Sequence, residues 1–274
     1  MSLPEPYPDL DELLATIGEA GVRLSGIEAS EGAAGNISIY IGWPIEVRRR
    51  FPLAEQIELP QPAPALAGKV VIVTGSGRRL RDIRTDPAAN LCAIIISQDG
   101  RTGELHTSPR RLFERVTSEF NSHIAVHNDE VTRTGTNFHA LIHAQPPNLV
   151  YLSHIPEYRD TATMNRRLMR WEPETIVQLP QGVGVLPFML PGSPTLMEAN
   201  VAALREHSVV LWSKHGVMSR SDFSVTRAAD RIEYAETAAR YEYMDLVCGR
   251  KGEGLSEDEL RAVVKAFGVH TNLV

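Results

Sequence analysis

The chain has 274 residues, a net charge of −6, and 43% hydrophobic against 23% charged residues, the balance of a globular protein with a sizeable core. The acidic excess excludes a broad basic face for nucleic acid, and no apolar run reaches the roughly 20 residues that a membrane-spanning helix needs. Cys92 and Cys248 cannot make a disulfide framework, which points to a reducing, cytoplasmic setting, and the start MSLPEPYPDLDELL does not read as a secretory leader.

Asp9 is placed to cap a first helix, in which Leu10, Leu13, Leu14 and Ile17 recur at helical spacing before an end near Gly21 or Gly26. The segment 35–41 (GNISIYI) alternates as a strand does. The proline-rich stretch 43–67 reads as an irregular excursion holding a short strand at most. Residues 69–74 (KVVIVT) form a β-branched run ending in Gly-Ser-Gly, and 93–97 (AIIIS) is a second strand, closed by the turn signal Asp99-Gly100. Beyond Pro109 the pattern turns helical, with Phe120, Ile124 and His127 on one side. Residues 138–145 then read as a strand stopped by Pro146-Pro147, and 148–153 open another helix.

Further strands are predicted at 175–179, 183–190 and 208–212. Ser193-Pro194 starts a helix, a longer one spans about 225–246, and Ser256 with Glu259 forms the capping box of the last. No linker divides the chain, which predicts one α/β domain over 1–274 with helices covering a mixed sheet.

The run VVIVTGSGRRL imitates the opening of a dinucleotide-binding fold. The imitation fails at Leu80, where the third glycine belongs, and in the charged, Pro87-broken segment that follows. A glycine turn at a strand end, or a concave anion site of Gly75–Gly77 amides, accounts for the same residues.

Three local patterns carry chemistry. On the strand 138–145, His139, Leu141, His143 and Gln145 share one face, and His143 and Gln145 have the spacing by which a strand aims two ligands at one ion. His215 follows a buried strand and precedes Gly216, which sets an imidazole at an open rim. Thr117-Ser118-Glu119 opens a helix on which Glu119 and His123 lie four apart. Each has a plainer explanation: a packed core histidine, an acid favoured by a helix N-terminus, a Thr117 or Ser118 cap. His123 and His127 read equally well as a partly exposed face, and His106, His207 and His270 as structural or surface residues.

Taken together and in order, these pieces resemble the class II (zinc-dependent) aldolase/adducin family. The likeness runs through Gly35-Asn36-Ile37-Ser38, Thr74-Gly75-Ser76-Gly77, Asp86 to Leu91 (DPAANL), Thr117-Ser118-Glu119 with His123, the His143 strand, 182–187 (GVGVLP) and Val210-Leu211-Trp212 with His215-Gly216-Val217. TGSG followed by DPAANL is characteristic of the family's rhamnulose branch. The resemblance implies a single α/β/α domain with a mainly antiparallel central sheet, a homotetramer, and retro-aldol cleavage of a ketose 1-phosphate. It also implies one Zn2+ per subunit held by His143 and His215, with Glu119 as acid/base. Phosphate would be held by Asn36, Ser76, Gly77, Thr117 and Ser118, and Glu174 would reach a neighbouring subunit's site. The family's His-x-His reads His143-Ala144-Gln145 here, and Ala33 stands where the rhamnulose branch has an asparagine. Three completions of the metal shell remain open: the Gln145 amide oxygen, Glu119 or His154, or a site without metal in an adducin-like binding module.

Overall fold

The computed structural model describes residues 2–274. Helix α1 (Leu10–Gly26) begins at Asp9, whose carboxylate accepts from the Glu12 amide while Glu12 accepts from the Asp9 amide. Its buried stripe is Leu10, Leu13, Leu14, Ile17 and Leu24. The strands β1 (Asn36–Ile41), β2 (Leu53–Glu58) and β3 (Val70–Thr74) follow. Then come a single turn, α2 (Pro87–Asn90), and the hairpin of β4 (Leu91–Ile96) and β5 (Thr102–Thr107). Helix α3 (Phe120–Thr134) leads into β6 (Phe138–Ala144). Three short helices, α4 (Pro147–Leu152), α5 (Thr161–Leu168) and α6 (Pro173–Gln178), precede β7 (Val183–Leu186). The chain closes with α7 (Pro194–Glu206), β8 (Val209–Trp212), β9 (Gly216–Ser221), α8 (Val225–Val247) and α9 (Glu257–Phe267).

The strands join in one nine-stranded sheet, ordered β2-β5-β4-β3-β1-β6-β9-β8-β7. Every neighbouring pair is antiparallel except β7 with β8. Strand alternation splits the interior into two layers. Ile37, Ile39, Ile41, Phe138, Ala140 and Ile142 point into a core shared with α1 and α8. Tyr40, Val71, Val73 and Ile94 meet Phe120 and Ile124 of α3 on the other face, and Leu141, Val210 and Met218 meet Leu196 and Leu204 of α7. Both cysteines are free.

The expected α/β/α architecture and its mainly antiparallel sheet are therefore present, with local corrections. Residues 175–179, expected as a strand, lie largely within α6. Pro173 supplies a helical first turn, and packing against α8 and α9 overrides the β-branched preference of Thr175, Ile176 and Val177. The strand expected over 183–190 stops at Leu186, before Pro187, which has no amide hydrogen for the ladder. The excursion 43–67 does hold a strand, β2. Strands β5 and β9 and helix α5, capped by Asp160, were not expected.

Close contact between α1 and the turn after β3 depends on glycine. A β-carbon on Gly21 would lie 2.2 Å from the Leu80 carbonyl oxygen, a backbone atom that cannot swing away, whereas one on Gly26 would meet nothing within 4 Å. Gly21→Ala is expected to lower unfolding stability by about 1–3 kcal/mol. Gly26→Ala, in the same helix, is expected to be neutral or stabilising by about 0.5–1 kcal/mol. Urea denaturation of both variants checks this, and equal effects would mean that α1 does not sit against Leu80 as described.

Candidate active site

Three side chains far apart in sequence meet at one end of the central strands. Glu119 is the residue at the N-terminus of α3, His143 lies near the end of β6, and His215 sits in the turn from β8 to β9. The Glu119 carboxylate spans the two imidazoles, with Oε2 3.4 Å from His143 Nε2 and Oε1 3.4 Å from His215 Nε2. Among the described residues, this is the one group of three or more His, Cys, Asp or Glu whose ligand atoms all lie within 4.8 Å of one another.

Each member is held by its surroundings. The His143 Nδ1–H donates to the Val217 carbonyl over 2.9 Å, which fixes the ring with Nε2 turned toward Glu119. Its ring stacks on Trp212 with centroids 4.7 Å apart, and the Trp212 indole donates to Asn200. The turn carrying His215 places Lys214 at φ +64°, an uncommon conformation for a side chain of that size, and the Lys214 amide is tied to Ser153 Oγ at 2.7 Å. Gly216 is required next to it: a β-carbon there would lie 2.5 Å from the Ala144 carbonyl oxygen and 2.7 Å from His143 Cε1. Glu119 is anchored by Asn36, whose amide Nδ2 donates to Oε2 over 2.8 Å.

The electrostatics suit a cation. Burial pushes the Glu119 carboxyl upward, but the imidazoles of His143 and His215 and the Asn36 hydrogen bond outweigh it and hold the group below its ordinary value. Burial, with His143 nearby, lowers His215 to about 4, so its imidazole is neutral and free to ligate near neutral pH. Ligands about 2.0–2.2 Å from a tetrahedral ion stand about 3.4 Å from one another, the spacing seen on both sides of Glu119. The donor set of two imidazole nitrogens and a carboxylate therefore fits a divalent metal.

Of the residues expected at the site, the fold brings most together. Gly75 bridges to Val116, the Ser76 amide donates to Arg115 O and the Thr117 amide to Thr74 O, so Ser76-Gly77 lies beside Thr117-Ser118. Gly77 has φ +70° and open space where a β-carbon would be. Gln145 lines a cleft with His215, Ser30, Glu31 and Arg81, so it borders the cluster, and its backbone N–H donates to Ala29 O. Asn36 is in place, though its side chain is already engaged with Glu119 and His123, which leaves one amide hydrogen free for a ligand.

His154 is exposed in the turn after α4, outside the cluster, and Glu174 is exposed at the start of α6. Ala33 sits in an exposed turn before β1. His123 and His127, for which a partly exposed face was one expectation, are fully buried. Ser38 and His139 join them in a polar row behind Glu119. The signal for that row was present in NISIYI, where Asn36 and Ser38 interrupt an isoleucine strand, and in the 119/123/127 spacing.

Comparison with known proteins agrees with this geometry. Residues 16–243 match the family described as Class II Aldolase and Adducin N-terminal domain. The chain is 35% identical over 214 residues to a rhamnulose-1-phosphate aldolase of Escherichia coli, covering 78% of this chain and 77% of that protein. An equally similar relative with the same name occurs in Shigella boydii. Among solved structures, a sugar-phosphate aldolase from Thermotoga maritima superposes with a TM-score of 0.74 at 26% identity, covering 89% of this chain and 99% of that one. An L-fuculose-1-phosphate aldolase from Thermus thermophilus shares the fold at TM-score 0.57 and 20% identity, covering 89% of this chain and 98% of that one.

Burial lowers His123 to about 3 and holds His127 and His139 well below the ordinary histidine value. The folded protein keeps these imidazoles neutral, whereas the unfolded chain protonates them below about pH 6.5, so their contribution to stability falls as pH drops through that value. Between pH 7.5 and 5.5 the three together are expected to remove about 4 kcal/mol, about 1.4 kcal/mol for each histidine, most of it below about pH 6.5. Urea unfolding in the presence of chelator at both pH values checks this. A flat profile would mean that the buried row takes up protons without unfolding.

Proposed function

The chain belongs to the class II aldolase and adducin family, and from that premise we propose that it is a zinc-dependent sugar-phosphate aldolase. Its reaction is the cleavage of L-rhamnulose 1-phosphate to dihydroxyacetone phosphate and L-lactaldehyde. The observation that carries this reading is the Glu119–His143–His215 cluster, with the Ser76-Gly77 and Thr117-Ser118 segments folded beside one another at the start of α3. The 35% identity to rhamnulose-1-phosphate aldolases supports the choice of sugar.

His143 and His215, with Glu119 in the resting state, would hold the ion, and Gln145 shares the adjoining cleft with His215. Zinc, when bound, supplies a Lewis acid that polarises the ketose carbonyl and favours electron flow from the breaking C3–C4 bond. Glu119 moves the proton: the carboxylate takes the one released from the C4 hydroxyl as that carbon becomes the aldehyde, and returns it to C3. Asn36 keeps one carboxylate oxygen engaged and so fixes the direction of the other. The phosphate is received by the Ser76 and Gly77 backbone and the Thr117 and Ser118 hydroxyls, just ahead of the N-terminus of the 15-residue α3, where negative charge is favoured. The enzyme is assigned as a homotetramer in which Glu174, exposed on α6, serves the site of a neighbouring subunit.

Purified protein with near-stoichiometric zinc is expected to release dihydroxyacetone phosphate from L-rhamnulose 1-phosphate faster than from L-fuculose or ribulose 1-phosphate in a coupled assay. Turnover of fuculose or ribulose 1-phosphate alone would move the substrate. No turnover and no bound zinc would point to a noncatalytic adducin-like module. Glu119→Gln is expected to lower kcat by about 10²–10⁴-fold with zinc retained on the imidazoles, and unchanged kcat would remove Glu119 from the chemistry. Gln145→His, which restores a second strand imidazole, is expected to tighten zinc binding in a competition titration with a chelator. An unchanged affinity would mean that this side chain points away from the ion.

A further inference from the structure

Behind Glu119, a line of polar side chains runs through the buried layer between α3 and the sheet. Asn36 and Ser38 come from β1, His123 and His127 from α3, and His139 from β6, all of them buried. Asn36 Nδ2 donates to Glu119 Oε2, and Asn36 Oδ1 meets His123 Nε2 in a short contact. Ser38 Oγ lies 2.6 Å from His123 Nδ1 and 2.7 Å from His127 Nε2, and His127 Nδ1 lies 2.9 Å from His139 Nδ1. At the far end, His139 Nε2 faces Asp222 Oδ1 across 3.8 Å, and neither atom has a hydrogen-bond partner. Arg220 lies between Asp222 and Glu130, 3.8 Å from the first and 3.3 Å from the second.

A neutral imidazole has one N–H and one lone pair, and a hydroxyl has one hydrogen to give. Those limits, together with an ionised Glu119, leave one consistent arrangement. The carboxylate accepts only, so the Asn36 NH2 must face it and Asn36 Oδ1 must accept from His123 Nε2–H. His123 Nδ1 is then a lone pair, which takes the Ser38 hydroxyl hydrogen. Ser38 in turn accepts from His127 Nε2–H, and His127 Nδ1 accepts from His139 Nδ1–H. His139 Nε2 is left as an acceptor without a donor, facing Asp222, whose carboxyl is pushed upward by burial and by Glu130.

We propose that Ser38, His123, His127 and His139 form a one-way hydrogen-bond chain whose donors all point toward Glu119, with Ser38 and His123 acting as positioning residues that lock the Asn36 amide and hence the catalytic carboxylate. The chain orients and does not conduct, because the Asn36 amide has no proton to pass on. Bonds aligned head to tail polarise one another, which strengthens the last donor in the line, the Asn36 N–H on Glu119. The functional half of this inference rests on the aldolase reading, while the proton arrangement stands without it.

Two measurements test it. In metal-free protein labelled with 15N-histidine, long-range 1H–15N correlation spectra are expected to show the Nε2–H tautomer for His123 and His127 and the Nδ1–H tautomer for His139. An Nδ1–H on His123 or His127, an Nε2–H on His139, or an imidazolium at any of the three would overturn the chain. Ser38→Ala is expected to lower kcat on L-rhamnulose 1-phosphate about 10- to 100-fold with KM and zinc content little changed, the usual size of losses behind a metal site. Ser38→Thr, which keeps the hydroxyl, is expected to recover most of it. Equal kcat in wild type and a folded Ser38→Ala, or equal loss in both variants, would overturn the positioning role. If Ser38→Ala does not fold, the wild-type tautomers decide. The expected tautomers in a protein without aldol cleavage would uphold the chain while ending the aldolase reading.

Discussion

A carboxylate removed from water must have its hydration replaced by donors or a cation, since an unpaired buried charge is worth many kcal/mol against folding. Glu119 is only 5% exposed, and the surrounding fold is arranged to meet that demand. One oxygen receives the Asn36 amide, and both face imidazole nitrogens at 3.4 Å, a separation suited to sharing an ion. Glu119 is also the residue at the N-terminus of α3, where the helix dipole favours negative charge.

Two periodicities have to agree for this to happen. Along α3, Glu119, His123 and His127 recur every four residues and form one polar stripe. Along β1 and β6, Asn36 and Ser38 stand two apart and His139 and His143 four apart, even spacings that keep each pair on one face, toward that stripe. The antiparallel register sets Asn36 opposite His143, so the same pairing that builds the sheet delivers the amide and the imidazole together to Oε2 of the carboxylate. The opposite faces of these strands, isoleucine, phenylalanine and alanine, bury against α1 and α8 and fix the position of the polar faces.

Much of this was legible in the residues themselves. The Asp9 cap, the alternation in NISIYI and FHALIHA, and the Ser193-Pro194 and Ser256–Glu259 helix starts are local signals, and the structure follows them. Glu119, His143 and His215 could each be singled out by spacing, while their convergence followed from resemblance and not from periodicity. Thr175 to Leu179 misled because β-branched composition is a weak preference that Pro173 and packing on α8 and α9 reverse. The strands β5 and β9 were hidden because they carry polar residues at several positions. The missing second strand imidazole, Gln145, looked like a gap in the shell because the approach of Glu119 to both histidines is a tertiary fact. It depends on how β3 pairs with the segment before α3, and no local pattern reports it.

The central claim is that His143, His215 and Glu119 share one divalent ion. X-ray absorption at the zinc edge of the loaded protein, without substrate, tests it most directly. The account predicts one zinc per chain with two imidazoles, seen by their outer-shell scattering, and oxygen donors at about 2.0–2.2 Å, with the imidazole signal halved in His215→Ala. A spectrum without imidazole scattering, or one that His215→Ala leaves unchanged, would contradict it.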